Sequence, residues 1–300
     1  MPHAKIKIVP PFDMKLSLRF ATACRFESEN DCHEGKFRRI IKIDNVPVLL
    51  TITVSGNVEN PAGRVQWSMP EGGNVRRKTI LDLSRRIVSA DLDLEPFYKQ
   101  ASNSHTVKKV TDTFRGLKPI LTPTVYESAA WAIMGQQVNL NFAYTLKKRI
   151  TEKYGRTISI DNRKYALFPE PVKFKKVTVG QLRRLQFSTR KAEYLLGLSK
   201  SVTNGELNLE LLAGENYENA LEKLLTVRGI GIWSANYILM RGAGQLNCLP
   251  LGDSGLHRAV KNWYKLKNLP DHEKVKKLAK PFAPFRSLYT LYLWYSLLNS

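Results

Sequence analysis

The sequence predicts an α+β protein: a small antiparallel β-sheet domain at the N-terminus, then an all-α body built around a hairpin of two helices. Three observations carry this. Residues 1–85 hold short runs rich in β-branched and aromatic residues, separated by turn chemistry. From about residue 79 the apolar spacing changes to a helical one, and from 123 the chain reads as helical almost throughout. Within that half, Gly229-Ile230-Gly231 stands between two helical segments as a tight turn.

Taken in order, KIKIV, MKLSLRFATACRF, FRRIIKI, VPVLLTITVSG and RVQWSM are expected as strands. Asp44-Asn45, Gly56-Asn57, Asn60-Pro61-Ala62-Gly63 and the stretch from Pro70 to Asn74 separate them. TILDLSRRIVSADLDLEPFYKQAS reads as a helix, a break and a short helix, and Arg115-Gly116-Leu117-Lys118-Pro119 links to the second half. The expected division is 1–85 sheet domain, 86–122 helical connector and 123–300 helical body. In the body, two helices meet at the polar corner Gly135-Gln136-Gln137. Two more meet at Phe187-Ser188-Thr189, where Arg183, Arg184, Arg190, Lys191 and Lys200 offer a basic face. The last helix is strongly aromatic.

Composition narrows the function. Forty-seven Lys+Arg against 26 Asp+Glu give a net charge of +21, which makes a polyanion the expected partner and nucleic acid ahead of membrane. No apolar run has the length of a membrane span, and MPHAKIKIVPPFD lacks the pattern of a secretory signal, so a soluble intracellular protein is expected. Cys24, Cys32 and Cys248 lack the spacing of a zinc site or a four-cysteine iron–sulfur cluster, and neither is expected.

The hairpin has a chemical reading. Glycines on either side of Ile230 let the backbone turn sharply and leave amide N–H groups uncovered. Those amides and the positive end of the second helix make a seat for one phosphate, with Arg228 beside it. A bland turn between core helices is the alternative for the glycines alone. Asp253, after Pro250, opens a further helix, where it is an N-cap and where the helix dipole favours a carboxylate. A carboxylate is electrostatically wrong for plain DNA binding beside a phosphate seat. It makes sense where positive charge develops, as on a sugar losing its base at C1′. Trp233 and Tyr237, four apart, share a helix face, and Trp294 and Tyr295 lie in the last helix. Each aromatic taken singly is more often a core residue, but an electron-rich pocket suits a cationic base. A corner such as Gln136-Gln137 can insert a side chain where a base has left the stack, or can be a solvated joint.

The run L-x-x-[LV]-x-G-I-G-x-W followed by Pro250 and Asp253 resembles the helix-hairpin-helix/Gly-Pro-Asp superfamily of DNA glycosylases, in particular the 3-methyladenine DNA glycosylase II branch. The resemblance spans nearly the whole chain and is strongest from Tyr126 to Val260 and again around Pro284 to Tyr295. It implies Asp253 as the catalytic aspartate, with Trp233, Tyr237, Trp294 and Tyr295 lining a base pocket. It implies Phe20 at the pocket mouth, from the opening Pro10-Pro11-Phe12-Asp13. Arg228, Gly229, Ile230 and Gly231 then contact DNA, and Gln137 and Gln136 form the wedge, where the best-known pattern has an aliphatic residue at Gln137. Bifunctional members carry a lysine where Trp233 stands, so base removal without strand cleavage is expected. The resemblance implies a monomer acting on double-stranded DNA that contains a damaged base, in the cytoplasm with the nucleoid or in a nucleus, and allows a monovalent cation at the hairpin. The competing readings are a non-catalytic damage-binding protein and a glycosylase for uracil, hypoxanthine or oxidised guanine.

Overall fold

Four N-terminal strands pair into one antiparallel sheet in the computed structural model, which describes residues 1–21, 35–160 and 163–299. β1 (His3–Ile6), β2 (Lys36–Ile43), β3 (Val46–Asn57) and β4 (Asn60–Ser68) lie in the order β1-β4-β3-β2. Asp44 and Asn45, at φ 47° and 65°, make the two-residue turn that sets Ile43 opposite Val46. Turns of this hand match the twist of the strands they join. Phe37, Ile41, Val48, Leu50, Ile52 and Val65 form a core with Ile80 and Ile87 of α2 (Arg77–Ile87).

MKLSLRFATACRF departs from the expected strand: its described part is a helix, α1 (Met14–Ala21). Asp13 decides it, since Oδ1 accepts from Leu16 N at 2.9 Å and caps the first turn. Met14 and Leu18, four apart, are then both buried, a spacing that also fits strand alternation.

The connector supplies α3 (Glu95–Ala101) and α4 (His105–Thr113). The body follows with α5 (Val125–Gly135) and α6 (Leu140–Tyr154), which meet at the 136–139 corner. Next comes an element the helical reading misses, a two-stranded ribbon of β5 (Arg156–Ile160) and β6 (Arg163–Leu167). Ile158, Ile160 and Leu167 of the ribbon pack on Ile40 and Leu49 of the N-terminal sheet, so the ribbon cements the two halves. Beside it Glu127 of α5 accepts from Arg39 of β2 at 2.7 and 2.8 Å and lies 3.1 Å from Lys147 of α6, all three side chains buried. Burial pushes the Glu127 carboxyl up, and the two cations more than offset it, holding the group below the usual carboxylate range.

The chain continues through α7 (Val179–Arg184), α8 (Thr189–Thr203), α9 (Tyr217–Leu225) and α10 (Ile232–Ile238), which runs into a π-helical turn over Leu239–Ala243. α11 (Ser254–Trp263), α12 (His272–Ala279) and α13 (Arg286–Ser296) complete it. One apolar core joins residues from Leu94, the N-cap of α3, to Tyr295 on α13. Among the described residues, no helix is long and apolar enough to cross a membrane.

Candidate active site

The turn between α9 and α10 is built on a ring. Gly229 has φ +91°, and a Cβ there would fall 2.2 Å from Tyr194 Cγ on α8, so glycine alone allows both the conformation and the contact. Ile230 plugs the space between the helices at 4% exposure. Gly231 is the N-cap of α10 and provides no side-chain cap, while a Cβ on it would meet nothing within 4 Å. The first amides of α10 are therefore left without a side-chain cap, the requirement for receiving an anion. Arg228 stands beside them, 76% exposed, 2.8 Å from Glu193 Oε2 and 5.5 Å above the Tyr194 ring.

The corner behind the hairpin is less symmetrical than its paired glutamines suggest. Gln136 is turned inward, its Nε2 donating to Gly229 O at 2.7 Å and to Ser234 Oγ at 3.1 Å. Gln137, at φ +52°, is exposed. The expectation of a wedge thus falls on Gln137, because the Gln136 amide is spent on the hairpin. Lys191 likewise leaves the expected basic face: it is buried and donates to Met134 O at 2.7 Å, at the negative end of α5. Burial pushes its ammonium down to about 8. Arg183, Arg184, Arg190 and Lys200 are exposed as expected.

Asp253 is reached from α10 by a tightly held loop. Asn236 Oδ1 accepts from Leu249 N and from Tyr217 Oη, both at 2.8 Å, and Asp253 N donates to Pro250 O at 3.1 Å. Gly252 turns the chain at φ +86°, and Asp253 then caps α11, its Oδ1 accepting from Leu256 N at 2.7 Å. Two indoles complete the carboxylate's shell. Trp294 Nε1 donates to Oδ1 at 2.8 Å and Trp233 Nε1 donates to Oδ2 at 3.0 Å. Oδ1 thus has both lone pairs engaged, while Oδ2 accepts from Trp233 alone among the described residues and keeps a lone pair. Gly255 leaves room for this, since a Cβ there would lie 3.0 Å from Oδ1.

Tyr237 closes the ring of aromatics, its centroid 5.6 Å from that of Trp233 and 6.2 Å from that of Trp294. Burial raises its phenol, against the nearby Arg241 and Trp131. Trp294 is set by the start of α13, where Ser287 Oγ donates to Gln245 O at 2.7 Å and accepts from Cys248 N at 2.9 Å. The structure thus gathers Asp253, Trp233, Tyr237 and Trp294. Tyr295 points elsewhere: fully buried, it meets Phe114 edge-on at 4.9 Å. The side chain of Phe20, and Cys24 and Cys32, lie outside the described residues, and Cys248 is buried. For a cation the hairpin offers backbone carbonyls, a donor set fit for a weakly held monovalent ion. That of Gly229 already accepts from Gln136.

Residues that sequence reasoning left out are Gly255 and Ser234. A glycine two positions past an N-cap and a serine on a helix carry no signal of their own.

An acid fixed between indole donors, next to a turn of exposed amides on a strongly basic chain, defines a helix-hairpin-helix protein that works on nucleic acid. Comparison with known proteins makes this specific. A family model for the HhH-GPD superfamily base excision DNA repair proteins matches residues 130–284, and the chain belongs to that family. It is 31% identical to a DNA-3-methyladenine glycosylase of Bacillus subtilis over 94% of this chain and 93% of that protein. Its fold is similar to the 3-methyladenine DNA-glycosylase from Archaeoglobus fulgidus, with a TM-score of 0.82, 24% identity and 97% of each chain covered. It is also similar to a Clostridium acetobutylicum 8-oxoguanine glycosylase/lyase in complex with double-stranded DNA, with a TM-score of 0.74, 18% identity, and 99% of this chain and 97% of that one covered.

Proposed function

We propose that the protein is a monofunctional DNA N-glycosylase that flips alkylated, cationic purines out of the duplex and hydrolyses the N-glycosidic bond, the first step of base excision repair. The observation that carries this is the carboxylate of Asp253, held by Trp233 and Trp294 with one Oδ2 lone pair left over. As the base departs, the sugar becomes oxocarbenium-like at C1′, and a fixed anion stabilises it or orients the attacking water. An alkylated purine already carries positive charge and leaves readily, so the site needs no strong general acid. Its rings can also hold that cation, at roughly 0.5–2 kcal/mol per contact. Position 233 holds an indole instead of an amine, so no Schiff base forms with the sugar there and the strand is left uncut.

In this reading the amides of Gly229 and Gly231, with Arg228, hold a phosphate of double-stranded DNA, while that of Ile230 donates to Val227 O at 3.0 Å, and any monovalent cation bridges hairpin carbonyls to the phosphate. Gln137 fills the gap left by the flipped base, Phe20 lies at the pocket mouth and Tyr295 backs the pocket wall. The protein works as a monomer. The names of its relatives support the substrate class. The test is Asp253→Asn, with excision measured on duplexes each holding one lesion (3-methyladenine, 7-methylguanine, hypoxanthine, uracil or 8-oxoguanine) followed by alkaline cleavage of abasic sites. The variant should lose excision and retain DNA binding. A variant that still excises would remove Asp253 from the chemistry. A wild-type protein that binds but excises none of the five would be a damage binder.

A further inference from the structure

Side chains that take no part in bond breaking tie the exposed corner to the phosphate seat. Gln136 ends α5 and spans to the hairpin, donating to Gly229 O at 2.7 Å and to Ser234 Oγ at 3.1 Å. The next residue, Gln137, is exposed and takes a left-handed conformation, φ +52°, that is uncommon for a residue with a side chain. α8 braces the same two parts from below. Lys191 Nζ donates to Met134 O at 2.7 Å, two residues before Gln136, and the Tyr194 ring supports Gly229. Corner and hairpin are therefore one body, with Gln136 as the direct strut.

We infer that Gln136 is a positioning residue that converts the hairpin's hold on the DNA backbone into insertion of Gln137 at the site of the extruded base. The inference rests on the reading of Gln137 as the intruding side chain. Extruding a paired base costs unstacking and unpairing energy, least where the base has no partner. An inserted side chain offsets that cost only at the right depth. A strut of fixed length from a seated phosphate sets that depth, and a misplacement of about 1 Å can cost about a hundredfold in rate. Without Gln136 the hairpin still seats on the backbone, but the corner is free to sit shallow.

The test compares single-turnover excision of one lesion on two templates: 7-methylguanine opposite cytosine and 7-methylguanine opposite an abasic analogue, where extrusion is already easy. Gln136→Met keeps the length and removes the donor. It should slow excision opposite cytosine roughly ten- to hundredfold and recover most of that loss opposite the abasic analogue, so that the ratio of the two rates falls roughly fivefold or more. Equal slowing on both templates, or none on either, overturns the inference, since a merely structural role would not depend on the opposite base. Gln137→Ala separates the two readings. If it leaves the ratio at the wild-type value, the intruding role of Gln137 fails. If it lowers the ratio and Gln136→Met does not, only the strut fails. Should Gln136→Met not fold, Lys191→Met removes the second tie and must lower the same ratio.

Discussion

Trp294→Phe isolates what an indole donor contributes to the carboxylate. The change keeps an aromatic ring beside Tyr237, 6.2 Å away, and deletes the Nε1–H that meets Asp253 Oδ1 at 2.8 Å. A hydrogen bond to a charged acceptor is worth about 1.5–3 kcal/mol. Leu256 N remains on Oδ1 at 2.7 Å, so the carboxylate stays attached at one point but loses its lateral brace. If the bond persists in the transition state, its loss lowers the single-turnover rate roughly ten- to hundredfold. The assay is excision of 7-methylguanine at saturating enzyme, where weaker DNA binding does not enter. Trp233→Phe, which loses the 3.0 Å bond to Oδ2, should fall in the same range. The decisive measurement combines Trp294→Phe with Trp233→Phe: two braces on one carboxylate should couple, so the double variant should depart from the product of the two single losses. A Trp294→Phe rate within about twofold of wild type, or a double variant whose loss is the simple product, refutes the bracing role.

The two hairpin glycines should behave oppositely. Gly229→Ala forces a side chain to φ +91° and 2.2 Å from Tyr194, so urea melts should show a loss of at least about 2 kcal/mol. Gly231→Ala meets no protein atom, so its stability should hold while fluorescence anisotropy shows weaker binding to all duplexes alike. Glu127→Gln takes the counter-charge from buried Arg39 and Lys147 and should cost about 3–5 kcal/mol. The wild-type Glu127 carboxyl is held low, so its stabilisation is present above the ordinary pKa of 4.5 and is lost as pH falls through the folded value; the variant should show a shallower acid limb. Lys118 gives the same slope in a different window, but as a cost relieved and not as a gain acquired. Burial pushes its ammonium down to about 8, so the unfolded chain binds the extra proton between that value and 10.5, and stability rises with pH across this window by about 1–3 kcal/mol. Urea midpoints at pH 7.5 and 9.5 should show a larger rise in the wild type than in Lys118→Met, where Lys191, held near 8 in the same way, still contributes.

Much of the site was legible because its signals are local. Gly229-Ile230-Gly231 forces a turn by steric rules that need only three residues, and Asp253 before Ser254 is a cap wherever a helix follows. The helical spacing of Trp233 and Tyr237 likewise fixes a shared face. What no local pattern holds is the direction of the two indole N–H groups, which depends on α10, α11 and α13 meeting at one point. The same applies to Gln136 and Gln137, identical in type, of which one turns in and one out only because Gly229 O is within reach. The sheet domain shows the complementary failure. Met14 and Leu18 fit either period, and the cap at Asp13 decides for helix. β5 was missed although Thr157-Ile158-Ser159-Ile160 alternates, because its apolar face is completed by Ile40 and Leu49, more than a hundred positions earlier.

That distant pairing bears on how the molecule can be cut. The N-terminal sheet is greasy on both sides, with α2 against one and the ribbon against the other. Removing the first ninety residues would lay bare Ile158, Ile160 and Leu167 and strip Glu127 of Arg39. A minimal excision module carved from this chain would therefore need new polar side chains on the ribbon and a neutral residue at 127 before it could stay in solution. The half that carries no chemistry is the lid on the half that does.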